Sequence, residues 1–175
     1  MTTLEPARHG EGPAAAAARI TGRAVRDERR LSGALTEVGL DGGQSVVVKH
    51  AEEPGAVAAE AAGLRWLADA GTVRVPKVWG YDRTWLISDF VPEGRPTAEA
   101  AVRFGRELAA LHAAGAPAFG APPPGGPVDA YIGLAPMQNI SGTDWPSWYA
   151  QHRVLPYLRA AVDGGTIRAA ETAGI

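Results

Sequence analysis

The period of the apolar positions divides the chain into an early part that alternates and a later part that is helical. From Leu35 to Leu40 the period is two: Leu35, Glu37 and Gly39 fall on one side, and Thr36, Val38 and Leu40 on the other. Asp41-Gly42-Gly43 is a tight-turn signal, and a return strand is predicted over 44–50. Its run Val46-Val47-Val48 predicts a strand covered on both faces. A more charged first strand over 24–29 precedes this hairpin, joined to it by the turn residues of "RRLSG". Pro54 and Gly55 open a helix expected to run to Ala70 and stop at Gly71. "VPKVWGYD" and "TWLISDFVP" read as two short strands joined at Asp82-Arg83, the second ended by Pro92.

Ahead of these strands, 14–21 reads as a short helix stopped by Gly22. Beyond Pro92 the period changes to that of a helix over 98–114, with Phe104, Leu108 and Leu111 on one face. Residues 115–128 are rich in Pro, Gly and Ala and predict a loop. "YIGLAPMQNISGTDW" reads as irregular. A helix capped by Thr143 or Asp144 is expected from Pro146 to Gly164, with a short helical piece at the end. The fold class is α+β: a small antiparallel sheet with one helix inserted after its third strand, then a helical section. The expected division is a loose tail over 1–13, a sheet-bearing lobe over 14–91 and a helical lobe over 92–175.

Composition narrows the classes. Among 175 residues, 46% are hydrophobic and 21% charged, the balance of a globular chain. The net charge of −2, with 17 basic and 19 acidic residues well mixed, offers no basic stripe for nucleic acid. With no cysteine and four scattered histidines, neither a disulfide framework nor a dedicated zinc site is expected. No apolar run reaches the roughly 20 residues of a membrane helix. "PAAAAARI" lacks a strongly apolar core and ends in Arg19, so it does not read as a leader, and the expected location is cytoplasmic.

The chemistry begins with two opposite charges. On the helix predicted after Gly55, Val57, Glu60, Leu64 and Leu67 are spaced as a core-facing stripe, which would set Glu60 among apolar neighbours. An unpartnered carboxylate there would cost several kcal/mol or take up a proton. Lys49 leaves the valine strand just before this helix, and an ion pair between the two is the economical solution. Such a pair makes better sense as a positioned cation for phosphate oxygens than as a source of stability. The alternative is two unrelated surface charges, with the glutamate tilted to the edge of the stripe.

At this point the sequence resembles the fructosamine/ketosamine-3-kinase family, relatives of the aminoglycoside phosphotransferases within the protein-kinase-like fold. The resemblance runs from about Gly22 to the end, on "VVVKH", "AEAAGLRWL", "GTVRVPKVWGYD", "LISDFV", "FGRELAALHAAG" and "YIG". "DWPSWYAQHRVLPYLRAA" is its most specific stretch. The resemblance implies that Lys49 touches the α- and β-phosphates of ATP and that Glu60 anchors it. It implies that the turn carrying Ser32 and Gly33 stands in for a glycine-rich loop over the phosphates. Backbone groups near Asp89 and Val91 would then form the hinge that meets the adenine edge. The implied substrate is a ketosamine or other glycated amine, phosphorylated on a sugar hydroxyl with ATP and Mg²⁺.

Phosphoryl transfer also needs an aspartate for the hydroxyl proton and ligands for Mg²⁺. In the family both come from an H-G-D segment and a later aspartate. None of His9, His50, His112 and His152 is followed by Gly-Asp. The expectation is therefore a chain that stops before the catalytic loop, either truncated or a genuine short protein that cannot catalyse, inactive by itself, with its Mg²⁺ ligands elsewhere and apolar surface exposed on the helices after Ala98. A related kinase for an aminoglycoside, choline or homoserine, and a non-catalytic nucleotide-binding or interaction module, are the alternatives. His112 reads as a packed or capping residue. Trp145, Trp148, Tyr149 and Tyr157 read as inter-helix core in preference to a sugar platform. Asn139, Asp144 and Arg153 could line a polyol pocket, or serve as caps and loop closures.

Overall fold

The alternation at Leu35–Leu40 becomes the second strand of a five-stranded antiparallel sheet in the computed structural model, which describes residues 10–172. The strands are β1 (Val25–Arg30), β2 (Leu35–Leu40), β3 (Ser45–His50), β4 (Val78–Tyr81) and β5 (Trp85–Asp89). They lie in the order β1-β2-β3-β5-β4. The β2–β3 turn has Gly42 and Gly43 at φ 76° and 85°, a conformation side-chain-bearing residues rarely adopt. Most of the expected tail, residues 1–9, lies outside the described residues.

Register sorts the side chains between two faces. Val38 pairs with Val46 and Val48 with Ile87, and all four are buried together with Leu40. Helix α1 (Pro13–Thr21) covers that face, burying Ala16 and Ala17 against all five strands. Its alanines let the backbones approach closely. At Gly80 on β4, an added Cβ would meet Ile20 Cγ2 at 2.5 Å. A salt bridge fixes the helix: Arg19 Nη2 lies 2.6 Å from both Glu11 and Asp82. Hydrogen bonding to Glu11 first, and then to Asp82, outweighs burial and raises the Arg19 pKa, locking its charge.

The other face is covered only in part. Helix α2 (Ala56–Asp69) packs Val57 and Ala61 on Leu86, joined by half-buried Leu64, Val78 and Tyr81. It sits chiefly on β4 and β5. Val47 is consequently half-buried, where the valine run had predicted cover on both sides. The buried stripe of α2 is also rotated from the expected one: Leu67 is 43% exposed, and Ala61 takes the position expected of Glu60. The small alanine permits the close approach to Leu86 that a glutamate would prevent.

Helix α3 (Ala98–Ala114) is capped by Thr97, whose hydroxyl accepts from the Ala100 amide, and it buries no residue. The stretch expected to be irregular instead contains a hairpin, β6 (Asp129–Ile132) and β7 (Ala135–Gln138), turned at Gly133 with φ 58°. Pro136 within β7 hid it, because proline argues against a strand unless the strand is an edge. Strand β6 packs against α2, and Tyr131 OH donates to the Pro54 carbonyl at 3.4 Å.

Two compact units emerge: the chain up to Gly115 with Pro122–Met137, and Ala116–Ala121 with the chain from Gln138. In the second, the single helix expected up to Gly164 is divided into α4 (Trp145–Tyr149), a π-helical turn over Ala150–Val154 and α5 (Leu155–Asp163). Pro156 explains the break, since it has no N–H and its ring crowds the carbonyl four residues back. Asp144 caps α4 by accepting from the Ser147 amide at 3.2 Å, and hydrogen bonding to Ser147, through its side chain first and then its amide, lowers the Asp144 pKa.

Candidate functional site

Lys49 and Glu60 meet. Lys49 Nζ lies 2.5 Å from Glu60 Oε2, with the two side chains 36% and 39% exposed. Strand β3 directs Lys49 to the α2 side of the sheet, because its cross-strand partners are Leu35 and Leu86. Glu60, beside the buried stripe, stands on the flank of α2 that faces the lysine. The pair is half-open to solvent, so its net stabilisation is on the order of 0–1 kcal/mol. What it does fix is the place of one ammonium group, at the border between α2 and the part of the sheet that α2 leaves open.

Asp89 and Val91 are differently placed. Asp89 pairs with Val46, so its side chain belongs to the α1 face, opposite Lys49. There Trp79 Nε1 donates to Oδ1 at 2.8 Å and the Lys77 amide to Oδ2 at 3.1 Å. The Asp89 amide donates to the Lys77 carbonyl, and the Phe90 amide to the Ser45 carbonyl. Pro92 has no N–H. Val91 therefore carries the one amide from 89 to 92 that no described residue engages, and its side chain is exposed. Nothing in the spacing of the residues signals the Trp79–Asp89 bond, which depends on the β4–β5 register.

In the β1–β2 turn, the amides of Leu31 and Ser32 both donate inward to the Leu35 carbonyl. Arg30 donates to the carbonyls of Ser32 and Gly33 at 3.1 and 3.2 Å. The Ser32 hydroxyl and the Gly33 amide take no part in these bonds. Among the described residues, no group of three or more His, Asp or Glu is placed to hold a metal ion. No helix of the described residues is long and apolar enough to cross a membrane.

The second unit gathers the remaining candidates. Trp145 stacks on Trp148 and Tyr149 at centroid distances of 5.7 and 4.9 Å, and Phe119 joins them at 5.1 Å from Trp145. Trp148 is buried and donates to the Ile140 carbonyl at 2.6 Å. Arg153 donates to Asn139 Oδ1 at 2.9 Å and lies 4.6 Å from the centre of the Trp148 ring. Asn139 and Arg153 thus satisfy one another, and Asp144 is engaged as a cap. His112 lies in the last turn of α3, exposed.

The chain is similar to several known proteins. The family model described as fructosamine kinase matches residues 15–173. A protein of Synechocystis described as a probable ketoamine kinase is 31% identical over 139 residues, covering 74% of this chain and 46% of its own. One of Thermus thermophilus, with the same description, is 34% identical over 119 residues, covering 67% and 42%. The chain thus spans about half the length of these curated relatives. A structure described as a fructosamine-3-kinase of Thermobifida fusca superposes with a TM-score of 0.79 at 41% identity, covering 90% of this chain and 56% of the other. A second, from Haemophilus somnus, has a TM-score of 0.68 at 21% identity and shares the fold. The fold is protein-kinase-like.

Proposed function

The chain belongs to the fructosamine kinase family, and from that premise we propose that residues 14–91 form the ATP-binding lobe of a cytoplasmic kinase that phosphorylates a sugar hydroxyl of a ketosamine. The observation that carries this reading is the Lys49–Glu60 pair at 2.5 Å, set beside the open half of the sheet. Lys49 holds the α- and β-phosphates and Glu60 keeps the ammonium in place. The Val91 amide meets the adenine edge. From Val46, beside the hinge, to Lys49 is three strand steps, about 10 Å at roughly 3.3 Å each, a span on the scale of a nucleoside with its first phosphates. The Ser32 hydroxyl and the Gly33 amide remain as donors over the phosphates. Asp89 contributes by position, because its carboxylate is already held by Trp79 and Lys77.

The family uses ATP, commonly with Mg²⁺. Among the described residues no group of three or more His, Asp or Glu is placed to hold a metal ion, and no step here runs through Mg²⁺. A base for the substrate hydroxyl is likewise not supplied by an H-G-D segment in this sequence. The 175 residues alone are accordingly expected to bind nucleotide without turnover.

Titration with ATP of the wild-type chain and of Lys49→Ala tests the reading. Saturable binding lost in the variant supports a nucleotide site built on Lys49. Equal binding by both, or none by either, favours a non-catalytic module. Robust ATP-dependent phosphorylation of a fructosamine by the isolated chain would overturn the expectation of inactivity.

A further inference from the structure

A second ion pair lies on the same sheet face as Lys49. Leu35 pairs with Lys49 and Glu37 with Val47, which makes Glu37 a diagonal neighbour of the lysine. Arg29 pairs with Glu37 across β1 and β2 and shares that face. Its Nε and Nη2 donate to one oxygen, Glu37 Oε2, at 3.0 and 2.5 Å. Oε1 accepts no hydrogen bond from the described residues. The Glu37 side chain is only 16% exposed, against 66% for Arg29.

A cross-strand pair whose only role is to join two strands needs no particular level along the sheet. This pair has one. Along β3, Val47 stands between Val46, whose partner is Asp89 at the hinge, and Lys49. If adenine meets Val91 and the phosphates meet Lys49, the sugar falls at the level of Val47 and Glu37. A carboxylate is an acceptor without donors, and a ribose diol offers two O–H donors. The Glu37 side chain is largely shielded and its Oε2 is held by Arg29, so an incoming hydroxyl meets an acceptor that is already oriented.

Resting on the nucleotide reading above, we propose that Glu37, oriented by Arg29, binds the ribose hydroxyls and makes the site selective for ribonucleotides. Glu37 Oε1 accepts from the 2′- and 3′-hydroxyls, while Arg29 occupies Oε2 and keeps the carboxylate turned toward the sugar. Arg29 is a positioning residue, parallel to Glu60 in the first pair with the charges reversed.

The test compares ATP with 2′,3′-dideoxy-ATP by calorimetric titration of the full chain. Wild-type protein is expected to prefer ATP about tenfold, the value of a hydrogen bond to a charged group. In Glu37→Gln the preference should fall to about twofold, since a neutral amide oxygen is a weaker acceptor. Arg29→Ala should lower the preference while retaining Glu37, and Arg29→Lys should restore part of it. Lys49→Ala serves as the control, since it should weaken or abolish the binding of both nucleotides alike. The proposal is overturned if wild-type protein binds the two nucleotides equally, or if Glu37→Gln and Arg29→Ala keep the wild-type ratio. Either result, obtained with ATP binding that still depends on Lys49, sinks the sugar assignment alone. Failure of wild-type protein to bind either nucleotide removes the nucleotide reading and this inference together.

Discussion

Lys49 Nζ and Glu60 Oε2 lie 2.5 Å apart although both side chains are more than a third exposed. The pair is close enough to fix a cation and too solvated to hold the fold together. Glu60→Gln should therefore move the melting temperature by less than about 2 °C, consistent with a loss below roughly 0.5 kcal/mol. ATP affinity should fall severalfold in the same variant. A large loss of stability with unchanged ATP binding would assign the pair to structure instead.

Trp79 and Asp89 set the exit of β5 toward Val91. Trp79→Phe keeps the ring packing and deletes only the Nε1–H that donates to Asp89. The expected cost is about 0.5–1.5 kcal/mol in denaturant unfolding. Because the donor at Val91 would be less well placed, ATP binding should weaken more than that of inorganic triphosphate, which does not use the hinge. Equal weakening of both ligands would contradict the hinge assignment.

Gly80 permits the approach of α1 to the sheet. A Cβ there would lie 2.5 Å from Ile20 Cγ2, so Gly80→Ala should cost about 1–3 kcal/mol. Adding Ile20→Ala should recover part of that cost, since the opposing branch is removed. Chemical denaturation of the single and double variants measures the coupling, and strict additivity would show that the contact is not the cause.

The Asp144 carboxylate, lowered in pKa by hydrogen bonding to the Ser147 side chain and then to its amide, contributes to α4 in a pH-dependent way. A depressed carboxylate stabilises above its unfolded pKa, and the contribution is lost as pH falls through the folded value. Helical order around Trp145–Tyr149 should accordingly weaken only in the acid range. Asp144→Asn, an alternative cap without a titrating charge, should flatten that dependence. An NMR titration placing the Asp144 carboxyl at or above the ordinary aspartate value would refute it.

Helix α3 buries no residue, and Val102 and Phe104 are more than half exposed. A hydrophobic dye should bind the wild-type chain, and Val102→Lys with Phe104→Lys should reduce that binding without lowering the melting temperature. A marked loss of stability in the double variant would show that these positions are packed.

Much of the local structure was legible because it has a local cause. The turn at Asp41–Gly43, the stop at Gly71 and the cap at Asp144 each depend on the conformational preferences of one or two residues. The Lys49–Glu60 pair was legible because a strand and the helix after it leave few ways to partner two such charges. The hairpin at β6 and β7 was not legible, because Pro136 and the polar residues around it resemble a loop until α2 supplies a surface to pack on. Nor was the burial of α1, since five consecutive alanines carry no period.

The sequence by itself determined the order of strands and helices as far as α3, the turn chemistry and the identity of the paired charges, because each follows from spacing and backbone preference. Only the tertiary structure decided which way each element faces. Ala61, not Glu60, meets the sheet because the small side chain allows the closer contact with Leu86. Asp89 faces α1 and Glu37 shares a face with Lys49 because strand register, a relation between distant segments, assigns side chains to one side or the other.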